Sequence, residues 1–308
     1  MALPKVVKLV EMGPRDGLQN EHEVIKTDDK IRYIDLLSET GLQWIEATSF
    51  VSPKAIPQLA DAVDVFTKIR KAPGVRYPVL VPNMKGYARA KAAGVDAIAV
   101  FTAASEAFTK RNINMTIDES IATFSDVAKT AKADGMWVRG YVSTAFGSPF
   151  GDAVTPKMVV DVSVKLMEMG CDEISIGDTI GVGVPSQVDE LVPALAREIP
   201  LEHLAFHFHD TRGTALANVY AALQNEIHIF DSSAGGLGGC PYAPGATGNV
   251  GTEDVLYLLH SMGIHTGVDL AKVRAASRFM RGVLEHDLTS KAFQAMEAAD
   301  ARAAASAP

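Results

Sequence analysis

Two histidines placed two positions apart carry the clearest chemical signal in this sequence. In H-F-H-D at 207–210, His207 and His209 project from the same side if the segment is an extended strand. Two imidazoles on one face make half of a divalent-metal site. The glycine-rich run that follows, at 234–249, contains Cys240 and ends in Asn249, whose amide oxygen is a hard donor. A metal site beside a loop that carries a thiol predicts proton chemistry on a metal-bound, oxygenated substrate.

A candidate for the missing anionic ligand lies near the N-terminus. The stretch 6–12 is typical of a first strand, and G-P-R-D-G-L-Q-N follows it at 13–20. Its Gly-Pro and Asp-Gly pairs mark the end of a strand, which places Arg15 and Asp16 in the loop after it. On this segment alone an ordinary surface ion pair is the better interpretation. The other is a metal-ligating carboxylate beside a guanidinium that stabilises developing negative charge.

Composition narrows the class of protein. The chain has 308 residues, of which 47% are hydrophobic and 21% charged, as expected of a globular protein with a large core. Its net charge is −8 and it has no basic run, so we expect neither a nucleic-acid nor a membrane partner. Two cysteines give no disulfide framework and favour a reducing compartment. No secretory signal and no apolar run of ~18 residues is present.

Strand-like and helix-like segments alternate along the chain with short connections. The predicted strands are 6–12, 44–50, 77–82, 96–102, 137–144, 173–178, 203–209 and 227–233. The predicted helices lie near 28–40, 57–70, 84–93, 117–134, 156–169, 186–198, 213–225 and 252–262. Thr155 before Pro156 is a typical N-cap with proline at the first helical position.

Eight strands alternating with eight helices predict an α/β fold, a (β/α)₈ TIM barrel with additional C-terminal helices. A doubly wound open sheet is the alternative, but no G-x-G-x-x-G follows the first strand. Composition never shifts, so we expect one catalytic domain over 1–308. The barrel would span about 6–265, a helical extension about 266–297, and a frayed tail about 298–308.

The barrel makes a specific demand on the chemistry, because catalytic residues of this fold sit at the carboxyl ends of strands and in the loops that follow. The first and eighth strands are neighbours across the closure, so distant segments meet at one mouth. That convergence now favours a functional role for the Arg–Asp pair. The residues brought together are Arg15, Asp16, Glu46, Asp178, His207, His209 and the loop from Cys240 to Asn249.

Several of these motifs resemble those of 3-hydroxy-3-methylglutaryl-CoA lyases. They are G-P-R-D-G-L-Q-N, I-E-A-T-S-F-V-S-P-K, E-I-S-I-G-D-T-I-G-V-G, H-F-H-D-T and G-G-L-G-G-C-P-Y-A, and the resemblance covers about 6–285. The R-D-x-x-Q and H-x-H motifs also occur in isopropylmalate and homocitrate synthases. The cysteine-containing loop is more specific, because those synthases lack the cysteine.

The resemblance implies cleavage of 3-hydroxy-3-methylglutaryl-CoA to acetyl-CoA and acetoacetate, a reaction of leucine catabolism and ketone-body formation. It implies that one Mg²⁺ or Mn²⁺ is bound by Asp16, His207, His209 and Asn249. Within this scheme Asp16 or a nearby carboxylate takes the proton of the C3 hydroxyl. Further roles are implied for Arg15 at the thioester oxygen, for Cys240 as the acid that protonates the carbanion, for Glu46 beside the metal, and for Asp178.

Two related activities remain open on the sequence. One is a lyase for a longer 3-hydroxy-3-alkylglutaryl-CoA, and the other is a Claisen-type acyl synthase of the same superfamily. A catalytically silent binding module is disfavoured, because every ligand and the thiol are present. The absence of a presequence leads us to expect a cytoplasmic, bacterial-type enzyme. We also expect a homodimer with an acyl-CoA substrate, and a buried, unreactive Cys171.

Overall fold

The computed structural model describes residues 3–239 and 248–306. Within them the chain forms nine strand segments that belong to one sheet, and every pairing in that sheet is parallel. The segments are β1 (Lys8–Glu11), β2 (Trp44–Ile45), β3 (Thr48–Ser49), β4 (Val79–Leu80), β5 (Ala97–Ala103), β6 (Trp137–Ser143), β7 (Glu173–Asp178), β8 (Leu204–Phe208) and β9 (Ile229–Ser232).

The sheet closes on itself through β2 and β3, which are two halves of one extended segment. β2 pairs with β1 on one side, whereas β3 pairs with β4 on the other. Between them, the backbone N–H of Glu46 donates to the Glu11 carbonyl at 2.9 Å, and that of Ala47 donates to the Pro78 carbonyl at 2.9 Å. The nine segments are therefore the eight strands of a closed barrel, which confirms the predicted (β/α)₈ fold.

Helices follow the strands as the periodicity predicts. They are α1 (Thr27–Ser38), α2 (Ala62–Lys68), α3 (Met84–Ala92), α4 (Glu106–Ile113), α5 (Ile117–Ala133), α6 (Pro156–Glu168), α7 (Pro185–Ala196), α8 (Ala215–Gln224), α9 (Thr252–Ser261), α10 (Leu270–Leu284) and α11 (Lys291–Ala305). The Thr155 side chain accepts from the backbone N–H of Met158, so the expected cap of α6 is confirmed. No helix in the described part of the chain is long and apolar enough to cross a membrane.

Helix α4 is the element that the periodicity did not predict. It has 8 residues, too few for a repeating apolar stripe to stand out. Its boundaries are nonetheless set by local chemistry. The Ser105 side chain accepts from the backbone N–H of Phe108 at its start, and Asn114 takes a left-handed conformation at its end.

The C-terminal helices are present, but the tail differs from expectation. Helix α11 continues to Ala305, well into the stretch expected to fray. Its last part is rich in alanine, the best helix former. Earlier in the helix, Glu297 pairs with Arg274 at 2.8 Å and with Arg278 at 2.6 Å, both on α10. Intrinsic propensity and these contacts explain why the chain stays helical there.

The lumen of the barrel is polar as well as apolar. Arg139, on β6, is only 1% exposed and pairs with acidic residues of β7 and β9. At the amino-terminal ends of the strands the rings of Trp44 and Trp137 lie 4.4 Å apart, and the ammonium of Lys8 lies 4.5 Å from the Trp44 ring centre. These aromatic and cationic side chains form the base of the barrel, and the opposite end is its mouth.

Candidate active site

The mouth of the barrel gathers the side chains that the sequence singled out. Arg15 and Asp16 lie in a tight helical turn, Gly13–Gly17, that begins directly after β1. His207 belongs to β8, and His209 follows that strand in an antiparallel bridge with Asn249. The bridge brings the end of the glycine-rich segment against the histidine strand, so residues from the two ends of the chain converge.

Asp16, His207 and His209 form a cluster with the geometry of a cation site. One ligand atom from each lies within 4.8 Å of the others. The Asp16 Oδ2 atom is 3.9 Å from His207 Nε2 and 4.0 Å from His209 Nε2, and the two Nε2 atoms are 3.1 Å apart. Three potential ligand atoms thus point at one small volume.

Asn249 completes this cluster from the other side. Its Nδ2 donates to Asp16 Oδ2 at 2.9 Å and to the Leu237 carbonyl at 3.0 Å. Its Oδ1 atom is buried and has no hydrogen-bond partner among the described residues. A buried acceptor without a donor is costly unless something else binds it. An amide oxygen, a carboxylate and two imidazoles form a donor set that can bind a divalent cation.

The protonation states at the cluster also suit a cation. Burial lowers the pKa of His209 to about 4, so its ring is neutral at pH 7, the form that binds metals. Although burial alone would raise the pKa of Asp16, the nearby Arg15 and the two histidines lower it. The carboxylate is therefore ionised and the imidazole is unprotonated before any ion arrives.

Arg15 is a buried cation between two carboxylates. Its Nε lies 2.5 Å from Glu46 Oε2, and one of its terminal nitrogens lies 2.5 Å from Asp16 Oδ1. Burial works against its charge, but the two carboxylates raise the pKa of Arg15 above its ordinary value. The guanidinium stays charged and is held in one orientation. A fixed positive charge of this kind can stabilise an oxyanion that forms during a reaction.

Glu46 and Asp178 are both buried, and each has hydrogen-bond partners of its own. Glu46 is fully buried and contacts Arg15 rather than the histidines; burial raises its pKa while Arg15 opposes that shift. Asp178, at the end of β7, accepts backbone N–H groups from Val182 at 2.9 Å and Gly183 at 3.0 Å. Burial raises the pKa of Asp178 to about 6. Glu46 thus orients the guanidinium, and Asp178 shapes the loop that follows β7.

A cavity of about 390 Å³ opens directly above the cluster. Arg15, Asp16 and both histidines lie on its floor. Aromatic, aliphatic and amide side chains also line it, among them Leu80, Phe101, Phe108, Tyr141, Asn20, Asn83 and Asn112. A pocket with an ionic floor and apolar walls can hold a small polar acyl group at the end of a longer chain.

The two cysteines have separate outcomes. Cys171 is buried, as expected, and burial raises the pKa of its thiol to about 12. Cys240 lies outside the described residues. The residue before it, Gly239, is described and lines the cavity. Its carbonyl accepts a hydrogen bond of 2.8 Å from the Asn20 side chain.

Asp231 is a buried site residue that the sequence reasoning missed. Its Oδ2 lies 3.1 Å from His207 Nδ1, and its Oδ1 accepts from Arg139 at 2.7 Å. Burial alone would raise the pKa of Asp231, but Arg139 and His207 lower it to about 2. A signal was available, because Asp231 and His207 are register partners in adjacent strands. Each occupies the fifth position of its predicted strand.

A (β/α)₈ barrel whose mouth holds a carboxylate–imidazole cluster is the architecture of a metal-dependent barrel enzyme. The family described as HMGL-like matches residues 6–280. Mitochondrial hydroxymethylglutaryl-CoA lyase of Bos taurus is 53% identical over 292 residues, which are 95% of this chain and 90% of that protein. The chain therefore belongs to the hydroxymethylglutaryl-CoA lyase family.

Solved structures agree with this assignment. The hydroxymethylglutaryl-CoA lyase from Pseudomonas aeruginosa superposes with a TM-score of 0.95 at 52% identity, covering 97% of this chain and 99% of that chain. An HMG-CoA lyase from Acinetobacter baumannii, in complex with coenzyme A and 3-methylmalate, gives a TM-score of 0.90 at 38% identity. The shared region is 94% of this chain and 95% of that one.

Proposed function

We propose that this protein cleaves 3-hydroxy-3-methylglutaryl-CoA to acetyl-CoA and acetoacetate, with a divalent cation at the Asp16–His207–His209–Asn249 cluster. The observation that carries the proposal is the cluster itself. It faces a cavity whose floor also holds a fixed guanidinium, in a chain 53% identical to a lyase of this name.

The reaction is a reverse-aldol cleavage that needs no oxidant and no second substrate. The proton of the C3 hydroxyl leaves, the oxygen becomes the ketone of acetoacetate, and the C2–C3 bond breaks. Its electron pair passes to C2 and is delocalised into the thioester as an enolate. One proton delivered to C2 completes acetyl-CoA. The protein must therefore supply a base, a stabiliser of the enolate and an acid.

A bound divalent cation would supply Lewis-acid chemistry by orienting the substrate oxygens and increasing the acidity of the C3 hydroxyl. His207, His209 and the Asn249 oxygen would hold it. Asp16 can receive the hydroxyl proton, because its carboxylate is ionised and lines the cavity. Its lowered pKa makes it a weak base, so the transfer would depend on the acidity that the cation would give the hydroxyl. We assign Asp16 the role of base as well as ligand.

Arg15 is assigned to the enolate. Its orientation is fixed by Glu46 and Asp16, and it lines the cavity, so a thioester oxygen can meet donors that need no reorganisation. We assign the acid that protonates C2 to Cys240. The described chain before this cysteine borders the pocket at Gly239, which supports the assignment.

Two substrate alternatives need a direct comparison. Purified protein with Mg²⁺ should be assayed with 3-hydroxy-3-methylglutaryl-CoA, with a longer 3-hydroxy-3-alkylglutaryl-CoA, and with acetyl-CoA plus a 2-oxo acid. We expect the highest kcat/KM with the methyl substrate and no condensation product. A preference for the longer acyl group would move the activity to that class of lyase, and condensation would establish a synthase.

The finer properties are also proposals. We propose Mg²⁺ or Mn²⁺ as the cation, because two of the four ligands, the Asp16 carboxylate and the Asn249 amide, bind through oxygen, which these ions prefer. We further propose that the protein is a homodimer and that it lies in the cytoplasm, where two cysteines without a disulfide framework would stay reduced. Elemental analysis of the purified protein, fractionation of the source cells and light scattering would test these three points.

A further inference from the structure

Asp231 is held at the centre of a buried hydrogen-bond network beneath the cation cluster. It lies on β9 and is only 2% exposed. Its Oδ2 accepts from Ser175 Oγ at 2.8 Å and lies 3.1 Å from His207 Nδ1. Its Oδ1 accepts from Arg139 at 2.7 Å. Each carboxylate oxygen thus has its own set of partners.

We propose that Asp231 is a positioning residue that fixes the tautomer and the ring orientation of His207. An ionised carboxylate can only accept hydrogen bonds, so the His207 nitrogen that faces it must carry the proton. With the proton on Nδ1, Nε2 keeps its lone pair and points it towards Asp16 and His209. The inference rests on the proposed function in one respect, namely that a cation binds where these atoms converge.

The network behind Asp231 keeps its carboxylate in place. Arg139 also brings its Nε within 3.0 Å of Glu173 Oε1, and Glu173 in turn contacts the ammonium of Lys8. Positive and negative side chains therefore alternate from the base of the barrel to the cation cluster. Buried charges arranged in this way are mutually compensated, whereas removing one partner leaves an uncompensated charge.

A simpler interpretation is that Asp231 only neutralises Arg139. The geometry argues against it, because Arg139 contacts Oδ1 and leaves Oδ2 directed at the imidazole. Adjacent strands place His207 and Asp231 in register, so the contact follows from the barrel itself. Carboxylates that orient a ligating histidine in this manner typically contribute 10–100-fold to metal affinity.

Asp231→Asn separates the two interpretations. Because the Arg139 guanidinium can only donate hydrogen bonds, we expect the amide oxygen of the new Asn side chain to face it. The NH₂ group then faces His207 Nδ1. That arrangement favours the opposite tautomer, with the proton on Nε2, where it blocks ligation. We expect the Kd for Mn²⁺, measured by electron paramagnetic resonance of the free ion, to rise about 10- to 100-fold.

Glu173→Gln is the matched control. It makes the same carboxylate-to-amide change one step further along the network, at a residue that contacts Arg139 and Lys8. If Asp231 acts through His207, this control should change the Kd for Mn²⁺ by less than about threefold, well below the effect expected for Asp231→Asn. An equal loss in both variants would show that the network acts only as a structural charge cluster and would overturn the proposal.

The tautomer can also be observed directly by ¹⁵N spectroscopy of the imidazoles in metal-free protein, with the His207 signals assigned by their loss in His207→Ala. We expect a proton on Nδ1 in the wild type and on Nε2 in Asp231→Asn. A wild-type proton on Nε2 would overturn the proposal, even if the variant failed to fold. Failure of the wild type to bind Mn²⁺ would instead reject the cation in the proposed function, and the wild-type tautomer would still test Asp231.

Discussion

Arg15 is the residue that we expect to stabilise the negative charge of the enolate. Its charge is balanced in the resting site by Glu46 and Asp16, so it should add little to substrate binding but much to the enolate, which exists only as the bond breaks. Arg15→Met should lower kcat by about 10²–10³-fold, the range found for loss of one oxyanion donor, with a modest change in KM. Steady-state kinetics decide the point. A change confined to KM would make Arg15 a substrate anchor.

His207 provides a direct test of the cation cluster. His207→Ala removes one imidazole, so we expect the Kd for Mn²⁺ and kcat/KM to worsen together, the former by about 10-fold or more. The matched control is His203→Ala, which changes a histidine just before the same strand, where its ring contacts the Asp172 carbonyl. Full activity of EDTA-treated wild type, with no metal found by elemental analysis, would contradict the assignment.

The two thiols give an internal comparison. We expect Cys240 to react with iodoacetamide and to be protected by substrate, whereas burial and a pKa of about 12 keep Cys171 unreactive. Cys240→Ser should lower kcat by about 10²–10⁴-fold, as expected when a general acid is replaced by a much weaker one. Cys171→Ser is the control and should leave kcat near the wild-type value. Faster labelling of Cys171, read by peptide mass mapping, would reject Cys240 as the acid.

At the scale of elements, two buried glutamates hold the start of the glycine-rich segment. Glu11, at the end of β1, accepts backbone N–H groups from Gly13 and Ala234, each at 2.8 Å. Glu253, on α9, accepts from the backbone N–H of Gly235 at 2.8 Å. The turn Ala234–Gly236 is therefore hydrogen-bonded both to strand β1 and to helix α9.

This arrangement predicts a dependence of stability on pH. Burial raises the pKa of Glu11 from 4.5 to about 7. Between these values the folded protein holds more protons than the unfolded chain, so the free energy of unfolding should fall as pH rises from about 5 to 7. Glu11→Gln should flatten the trend, by up to about 1.4 kcal/mol per pH unit. Urea unfolding of both proteins at several pH values is the measurement; a wild-type advantage that grows with pH would contradict it.

Regular elements were predictable because their signals are local. The alternation of strands and helices, and the cap at Thr155, can be read from short windows of sequence. Helix α4 could not, because about two turns of helix are too short for a periodic apolar stripe to stand out. The tail over 298–308 was expected to fray, whereas the structure is helical to Ala305, and the reason for this difference is not local. Its pairing with Arg274 and Arg278 depends on how α10 and α11 pack, which no short window contains.

For the whole molecule, the barrel determines which site residues could be brought together from the sequence and which could not. Once eight parallel strands are assumed, the carboxyl-end rule brings Arg15, Asp16, His207 and His209 to one mouth. The rule says nothing about residues deeper in the lumen. Asp231 was therefore missed, since its role depends on strand register. Glu46 was expected to be hydrogen-bonded near the metal; in the structure its carboxylate pairs with Arg15, which in turn pairs with Asp16.

The base of the barrel has a consequence for optical measurements. The chain contains only two tryptophans, and they contact each other at that end, with their ring centres 4.4 Å apart and their planes tilted by 47°. Their emission comes from a single location, contributed by segments 93 positions apart in the chain (137 − 44 = 93). Tryptophan fluorescence should therefore report whether these strands have come together. We expect it not to change when substrate binds at the opposite end of the barrel. A change of emission on unfolding, but none on adding substrate, would give a readout of folding that is independent of catalysis.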